Sequence, residues 1–302
     1  MSVIFLFIDG VGLGKANKAN PFTQSTYRGF SAMAGDQSFT KKASELTETN
    51  YLFKYVDARL GVEGLPQSGT GQTALFTGKN ASKKIGKHFG PFPHSGIKPF
   101  LKKESLFIKA KELGKRANFI NAYPDIFFQK ARKRNRWSCT TLMTKSANIS
   151  LNTTKEVKNG QALTAELTQQ AWGEHLDIDV PEISPEEAAD RLLEQNEKYD
   201  LLLHEYYLTD KAGHSQELDK AAHYLQTYDR FLWHLINKKN SDTTIVLCSD
   251  HGNVEDLSTK THTFNKVPLF TYGPGALQFK KAQSIMDVTP GIIEELARND
   301  SN

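Results

Sequence analysis

The chain has 302 residues, of which 38% are hydrophobic and 24% are charged, a composition typical of a globular protein. Its formal net charge of +4 is too small to indicate a nucleic-acid-binding surface. The sequence contains no apolar run of the roughly 18 residues that a membrane span needs, and the two cysteines, Cys139 and Cys248, predict no disulfide framework. We therefore expect a cytoplasmic protein that binds neither nucleic acid nor membrane. Its oligomeric state stays open.

The first part of the chain alternates apolar runs with helical patterns. Val3–Ile8 is a continuous apolar run, which is typical of a strand buried on both faces. A loop-rich stretch follows to about Gly64, and a segment rich in Gly, Ser and Thr then leads into a helix predicted to begin near Gly71. Ser105–Leu113 is predicted to be a helix with a glycine cap, and Ala117–Ala122 a strand.

The regular pattern is lost between residues 125 and 182, apart from a short helix predicted around Ala162–Trp172. It returns at Ser184, an N-cap followed by proline and glutamate at the first and third helical positions. That helix is predicted to end near Tyr199. The remaining predicted elements are the strand Leu201–Leu208, the helix Gln216–Asn237, the strands Thr244–Cys248 and Val267–Tyr272, and the helix Asp287–Leu296.

This alternation of strands and helices predicts an α/β fold with a mostly parallel sheet covered on both faces. Residues 1–124 and 197–302 are predicted to form the core, and residues 125–196 a small inserted cap.

Acidic and histidine side chains follow the predicted strands directly, where open α/β sheets place their binding crevice. Converging carboxylates repel one another unless cations neutralise them. Imidazole with carboxylate suits zinc or manganese, and magnesium less well. Each residue alone has a commoner structural explanation, such as a turn cap or a surface histidine, but their joint occurrence at strand ends favours two divalent metal ions. The candidate ligands are Asp9, Asp210, His214, Asp250, His251 and His262.

Five strings of this sequence resemble the metal motifs of the alkaline phosphatase superfamily in order and spacing. They are IDGVGLG, SGTGQTALFTG, TDKAGH, SDHGNVED and THTFNKVP. Within that superfamily the chain resembles the branch of cofactor-independent phosphoglycerate mutase and phosphopentomutase, over residues 1–15, 60–90 and 200–302. The resemblance implies an alkaline-phosphatase-like three-layer core. It also implies how the ligands divide: Asp9, Asp250 and His251 hold one metal together with the oxygen of the nucleophile, and Asp210, His214 and His262 hold the other.

The nucleophile of those families is a serine or threonine that begins a helix and is followed ten positions later by glycine. Ser68 and Gly78 keep that interval, and Thr70 is the alternative on residue type. Metal coordination makes a hydroxyl a competent nucleophile by lowering its pKa, and the N-terminus of a helix attracts phosphate. Ser68 is therefore the predicted catalytic residue and a further metal ligand.

Four residues are predicted to bind the substrate. Gln72 stands where the mutase motif has a histidine that serves the substrate, which weakens the case for phosphoglycerate, whereas Asn265 matches the family pattern THTxN. Arg136 belongs to a basic string in the predicted cap, for which a solvated basic loop is the alternative. Thr70 completes the set.

Together these residues predict a two-metal enzyme that acts on a small-molecule phosphate ester through a phosphoserine intermediate. A small cap favours a phosphatase or phosphodiesterase over a mutase, because a mutase must shield its phosphorylated intermediate from water. A phosphomutase of the phosphoglycerate mutase type and a non-catalytic metal-binding module are the alternatives.

Overall fold

The computed structural model describes residues 1–298, which contain a seven-stranded sheet surrounded by helices. The strands are β1 Ser2–Ile8, β2 Leu46–Glu48, β3 Tyr51–Val56, β4 Ala117–Phe119, β5 Leu201–Tyr206, β6 Thr243–Cys248 and β7 Val267–Tyr272. The helices are α1 Arg28–Met33, α2 Ser68–Thr77, α3 Ala81–Ile85, α4 Lys98–Lys103, α5 Leu106–Glu112, α6 Asp125–Arg134, α7 Cys139–Ser146, α8 Thr154–Lys158, α9 Gln170–Leu176, α10 Pro185–Asn196, α11 Leu208–Ser215, α12 Leu218–Lys238 and α13 Val288–Ala297. Within this described part, no helix is long and apolar enough to cross a membrane.

The strands lie side by side in the order β2-β3-β7-β6-β1-β5-β4. β1 pairs in parallel with β5 and β6, and β5 pairs in parallel with β4. β7 is antiparallel to both β6 and β3, and β2 is antiparallel to β3. β3, β6, β1, β5 and β4 therefore point in one direction, which confirms the predicted mostly parallel sheet.

Helices cover both faces of the sheet, because successive side chains of a strand point to opposite sides. In β1, Ile4 and Leu6 belong to one hydrophobic core, together with residues of α1, α10 and α12. Phe5 and Phe7 belong to the core on the other face, with residues of α2, α5, α7 and α13. A strand buried on both faces needs an apolar residue at every position, which explains the continuous apolar run. The predicted three-layer α/β fold is confirmed.

Most of the regular elements predicted in the second half of the chain are confirmed. β7 has the predicted bounds, and α10 begins with the predicted capping arrangement. There the Ser184 hydroxyl accepts a hydrogen bond from the Glu187 amide at 3.1 Å, and the Glu187 carboxylate accepts one from the Ser184 amide at 2.7 Å. β5 ends earlier than predicted because Leu208 already begins α11.

The predictions for the irregular regions are wrong in three places. The stretch before Gly64 contains α1 and the hairpin of β2 and β3 rather than loops alone. The helix predicted around Ala162–Trp172 begins only at Gln170, after Leu167 and Gln169, whose positive φ angles interrupt a helix. The basic string lies largely on α6 rather than on a loop.

The segment predicted as a cap, residues 125–196, contributes to both main cores. Met143 of α7 lies in the core beneath α2, and Leu192 of α10 lies in the opposite core. A separate small core contains Ala122, Val157, Ala162 and Trp172. The division into core and cap stays a prediction. Because α7 and α10 pack in the two main cores, only part of residues 125–196 lies outside these cores.

Candidate metal and nucleophile site

The sheet brings the predicted ligands to one edge. Asp9 follows β1, and Asp250 follows β6, which pairs directly with β1. Asp210 lies in α11, directly after β5 on the other side of β1. His262 precedes β7, which is antiparallel to β6 and therefore begins at the edge where β6 ends. Because neighbouring parallel strands end side by side, residues far apart in sequence meet there.

One cluster surrounds the imidazole of His251. Its Nε2 atom lies 3.5 Å from Asp9 Oδ1, 3.4 Å from Asp250 Oδ2 and 3.0 Å from Ser68 Oγ. All four side chains are buried, and within the described part of the chain those two carboxylate oxygens have no hydrogen-bond partner. A buried carboxylate oxygen without a partner is costly. A divalent cation among these donors would supply that partner, so the donor set fits a metal ion.

A second cluster lies beside the first, around Asp210. His214 Nε2 is 3.3 Å from Asp210 Oδ2, and His262 Nε2 is 3.3 Å from His214 Nε2 and 3.6 Å from Asp210 Oδ1. The rings of His251 and His262 stack with their centroids 3.7 Å apart. One ligand atom from each of Asp210, His251 and His262 lies within 4.8 Å of the others. The structure thus brings the six predicted ligands together, and the assignment of His251 to the first metal stays a prediction.

The histidines of the second cluster are held in a tautomer suited to a metal. His262 Nδ1 lies 2.7 Å from the carbonyl oxygen of Pro66, and His214 Nδ1 lies 2.7 Å from that of Lys260. A carbonyl oxygen only accepts hydrogen bonds, so Nδ1 must donate in each case, and the lone pair of the neutral ring is left on Nε2. Metal-binding histidines in proteins are oriented by such a bond.

The pKa values of the clustered carboxyl groups show that their negative charges repel one another. Burial raises the pKa of Asp9 well above its usual value, and the charges of Asp250 and Asp210 raise it further. Burial and the charge of Asp210 also raise the pKa of Asp250 to about 7. Burial opposes ionisation of Asp210 as well, but the hydrogen bonds with His214 and Asn253 and the charges of the neighbouring histidines together outweigh burial and lower the pKa of Asp210. The hydrogen bond with Asp210 in turn raises the pKa of His214 to about 9. Two cations would relieve the repulsion among the three carboxylates.

Ser68 begins α2, three residues before the predicted helix start, and Gly78 caps the end of α2 in the left-handed conformation. The glycines after Ser68 allow α2 to approach its neighbours closely. A methyl group on Gly69 would lie 2.3 Å from the carbonyl oxygen of Phe92, and one on Gly71 would lie 2.8 Å from that of Asp250. Such distances leave no room for a side chain. The SGTG string therefore packs the start of α2 against the metal-site loop.

The four predicted substrate-binding residues lie in different surroundings. Thr70 is buried, and its hydroxyl donates to the Gln67 carbonyl and accepts from the Phe89 amide, each at 3.1 Å. Gln72 Nε2 donates to Asp9 Oδ2 at 3.2 Å, which places it directly at the first cluster.

Asn265 and Arg136 contact other residues. Asn265 Nδ2 donates to Glu255 Oε1 at 2.9 Å. The guanidinium of Arg136 lies 4.7 Å from the ring centre of Phe92, whose carbonyl packs on Gly69. The substrate role of all four residues stays a prediction.

Sequence reasoning missed two buried acids at the site. Glu255 accepts hydrogen bonds from the amides of Gly12 and Asn253 and from the hydroxyl of Thr263. It thereby joins the loop after β1 to the loops that carry His251 and His262. Only hydrogen bonds between distant residues identify this role, although Glu255 lies within the motif string SDHGNVED.

The second missed acid, Glu205, accepts a hydrogen bond of 2.8 Å from the Thr140 hydroxyl. Burial raises its pKa to about 7, and its charge in turn raises the pKa of Asp9. A glutamate beside a histidine in the fully buried strand LLLHEY is the available sequence signal.

The fold and these clusters define an α/β protein with a divalent-metal site and a serine at the edge of its sheet. A family model described as the Metalloenzyme superfamily matches residues 121–300, and the chain belongs to that family. The 2,3-bisphosphoglycerate-independent phosphoglycerate mutase of Desulforudis audaxviator is 32% identical over 124 residues, which are 38% of this chain and 24% of the relative. That of Ehrlichia canis is 30% identical over 126 residues, 38% of this chain and 25% of the relative. The matches span about a quarter of the length of these relatives.

Solved structures share the fold over nearly the whole chain. The alkaline phosphatase of the Antarctic bacterium TAB5 has a TM-score of 0.60 at 14% identity, with 98% of each chain covered. The phosphoglycerate mutase of Leishmania mexicana has a TM-score of 0.53 at 11% identity, with 98% of this chain and 95% of that chain covered. At these identities the likeness confirms the alkaline-phosphatase-like fold.

The close approach of α2 can be tested with Gly71→Ala. Its methyl group would meet the Asp250 backbone, so we expect the free energy of unfolding to fall by roughly 1–3 kcal/mol in urea denaturation. Gly173→Ala is the matched control, since a methyl group there meets no atom within 4 Å. Equal free energies of unfolding for the two variants would contradict the packing described above.

The raised pKa of Asp250 predicts a pH-dependent effect of Asp250→Asn in the metal-free protein. The folded carboxyl loses its proton near pH 7 and the unfolded one near pH 4, so the wild type is destabilised by this group as pH rises between them. Asparagine does not titrate. We expect Asp250→Asn to gain on the order of 2 kcal/mol relative to the wild type between pH 5 and pH 8, measured by urea denaturation with EDTA. A difference independent of pH would show that the carboxyl has an ordinary pKa.

Proposed function

We propose that the protein is a two-metal phosphoryl-transfer enzyme that acts on a small phosphate ester through Ser68. The observation that carries this proposal is the position of the Ser68 hydroxyl, at the start of α2 and 3.0 Å from His251 Nε2. It lies in the same cluster as the unpaired oxygens of Asp9 and Asp250. A non-catalytic metal-binding module requires the carboxylates and imidazoles, but it does not require a hydroxyl among them.

The residues suggest a two-step reaction. When bound, divalent cations would neutralise the carboxylates, lower the pKa of the Ser68 hydroxyl and attract the phosphate oxygens. The Ser68 hydroxyl gives its proton to solvent, Ser68 Oγ attacks the phosphorus as the bond to the ester oxygen breaks, and the alcohol leaves with a proton from solvent. The N-terminus of α2 would attract the phosphate, because a helix N-terminus carries partial positive charge. The amides of Thr70 and Gly71 already donate to the carbonyls of Phe89 and Gln67, so this attraction comes from the helix end as a whole. Water then attacks the phosphoserine and releases inorganic phosphate.

We favour a phosphatase or phosphodiesterase over a phosphomutase. A mutase must keep water away from its phosphoserine, which calls for an enclosing cap. In this chain α7 and α10 of the segment 125–196 pack in the two main cores, so little of that segment is left to cover the site. Gln72 in place of the mutase histidine also argues against phosphoglycerate. The similarity to phosphoglycerate mutases is the observation that favours a phosphomutase, the second candidate function.

We propose zinc or manganese as the metal. The donors are carboxylate oxygens, imidazole nitrogens and one hydroxyl, and a site of this mixture without thiolate suits these ions better than magnesium. Both cysteines are buried and form no disulfide. Cys139 Sγ lies 3.6 Å from the carbonyl oxygen of Gly69, so that thiol contacts the backbone rather than the carboxylates.

Ser68→Ala tests the proposed nucleophile. We expect kcat for p-nitrophenyl phosphate with added zinc or manganese to fall on the order of a thousandfold or more, because the attacking oxygen is removed. Ser241→Ala, at an exposed turn before β6, is the matched serine control and should keep the wild-type rate. Turnover by Ser68→Ala at the wild-type rate would rule out Ser68 as the nucleophile.

A comparison of substrates separates the reaction types. A phosphatase releases p-nitrophenol and inorganic phosphate from the monoester, and a phosphodiesterase prefers the bis(p-nitrophenyl) ester. We expect hydrolysis of at least one of them, followed by p-nitrophenol absorbance and a phosphate assay. Phosphate transfer to an added sugar or glycerate alcohol, without release to water, would instead establish the phosphomutase.

A further inference from the structure

An exposed aromatic side chain lies beside the metal site. Phe264 is 56% exposed, the largest value among the exposed large hydrophobic side chains of residues 1–298. Single exposed apolar residues are ordinary on protein surfaces. Phe264 differs because of its position, two residues after His262 and on the loop that enters β7.

The neighbours of Phe264 are held by buried partners. Thr263 pairs with Gly252 in an antiparallel bridge and turns its hydroxyl inward to Glu255. His262 is buried and reaches Asp210 and His214 of the second cluster through Nε2. Phe264, two residues after His262, is the exposed side chain of this segment.

The backbone on both sides of Phe264 is held in place. The Asn265 amide donates to the Thr263 hydroxyl at 3.2 Å, and the Asn265 side chain donates to Glu255 at 2.9 Å. Glu255 is itself buried. The ring of Phe264 is thus presented to solvent from a fixed loop, which lowers the entropy cost of binding a ligand against it.

A cation lies against the same ring. The guanidinium of Arg59 is 5.1 Å from the ring centre of Phe264, and Arg59 is exposed. Arg59 belongs to the loop between β3 and α2, and further along that loop the Pro66 carbonyl holds His262 before the chain reaches Ser68. The Phe264–Arg59 pair therefore joins the loop that leads to Ser68 with the loop that carries the metal ligand His262.

We propose that Phe264 and Arg59 bind the alcohol portion of the substrate, and that this portion is a planar aromatic ring carrying an acidic group. The inference rests on the proposed function, which places the phosphate at Ser68 and leaves the alcohol to extend outwards. An aromatic ring stacks on the exposed part of Phe264. The guanidinium of Arg59, which already lies over that ring, pairs with the acidic group through charge-assisted hydrogen bonds.

Binding of three phosphonates to the zinc- or manganese-loaded protein tests this proposal without requiring turnover. The probes are ethylphosphonate, benzylphosphonate and 4-carboxybenzylphosphonate, and Kd is measured by calorimetry. We expect benzylphosphonate to bind about threefold to tenfold tighter than ethylphosphonate, the range of an aromatic pair. The carboxylate is expected to add about another threefold to fivefold.

The variants separate the two residues. Phe264→Ala should bring the ratio of the benzyl and ethyl Kd values close to one, whereas Arg59→Gln should remove the gain from the carboxylate. Leu277→Ala is the matched control, because Leu277 is 45% exposed and follows β7 at the opposite edge of the sheet, and it should keep the wild-type ratios. A purely structural role of Phe264 would weaken all three probes by one factor and leave the ratio unchanged.

The outcomes distinguish this inference from the proposed function. Equal Kd values for ethylphosphonate and benzylphosphonate in the wild type, or an unchanged ratio in Phe264→Ala, overturn the assignment of Phe264 and Arg59. If the metal-loaded protein hydrolyses ethyl phosphate in that case, the proposed function stands although the assignment of Phe264 and Arg59 fails. If none of the phosphonates binds and no ester is hydrolysed, both are overturned.

Discussion

Negative charge confined at one buried edge of the sheet is the constraint on which the site depends. Asp9 and Asp250 follow neighbouring strands, each has an oxygen without a hydrogen-bond partner among the described residues, and Asp210 adds a third charge beside them. Protonation or bound cations can relieve this repulsion. Imidazole Nε2 atoms placed among the same oxygens favour cations, because neutral imidazole is a metal ligand.

The surrounding structure holds this arrangement in place. Glycines after Ser68 let α2 pack against the backbone of Asp250, and Glu255 ties together the loops that carry the ligands. Carbonyl groups fix the rings of His214 and His262. The parallel strands β6, β1 and β5 supply the rigid base, since their ends cannot separate without breaking the sheet. Under the proposed function, this arrangement holds the Ser68 hydroxyl in place before any substrate arrives, which favours catalysis.

Much of the site could be predicted from the sequence because its residues follow recognisable strands. Asp9 comes directly after a continuous apolar run and Asp250 comes two residues after one, at strand ends where open α/β sheets place their binding crevice. Glu255 and Phe264 could not be predicted, since one acts through hydrogen bonds to distant residues and the other through its exposure. The sequence does not predict the hairpin of β2 and β3, because its residues do not alternate cleanly between buried and exposed positions. The sequence predicts too late a start for α2, because Gly69 and Gly71 disfavour a helix and tertiary packing overrides that preference.

Membership of the Metalloenzyme superfamily and an alkaline-phosphatase-like fold agree with a metal site at this edge. The central claim is that the two clusters hold divalent cations. Elemental analysis of the protein, dialysed after incubation with zinc or manganese, tests it most directly when the wild type is compared with Asp9→Asn and Asp210→Asn. We expect close to two ions per chain in the wild type and about one fewer in each variant. A wild type without a stoichiometric divalent ion would contradict the account.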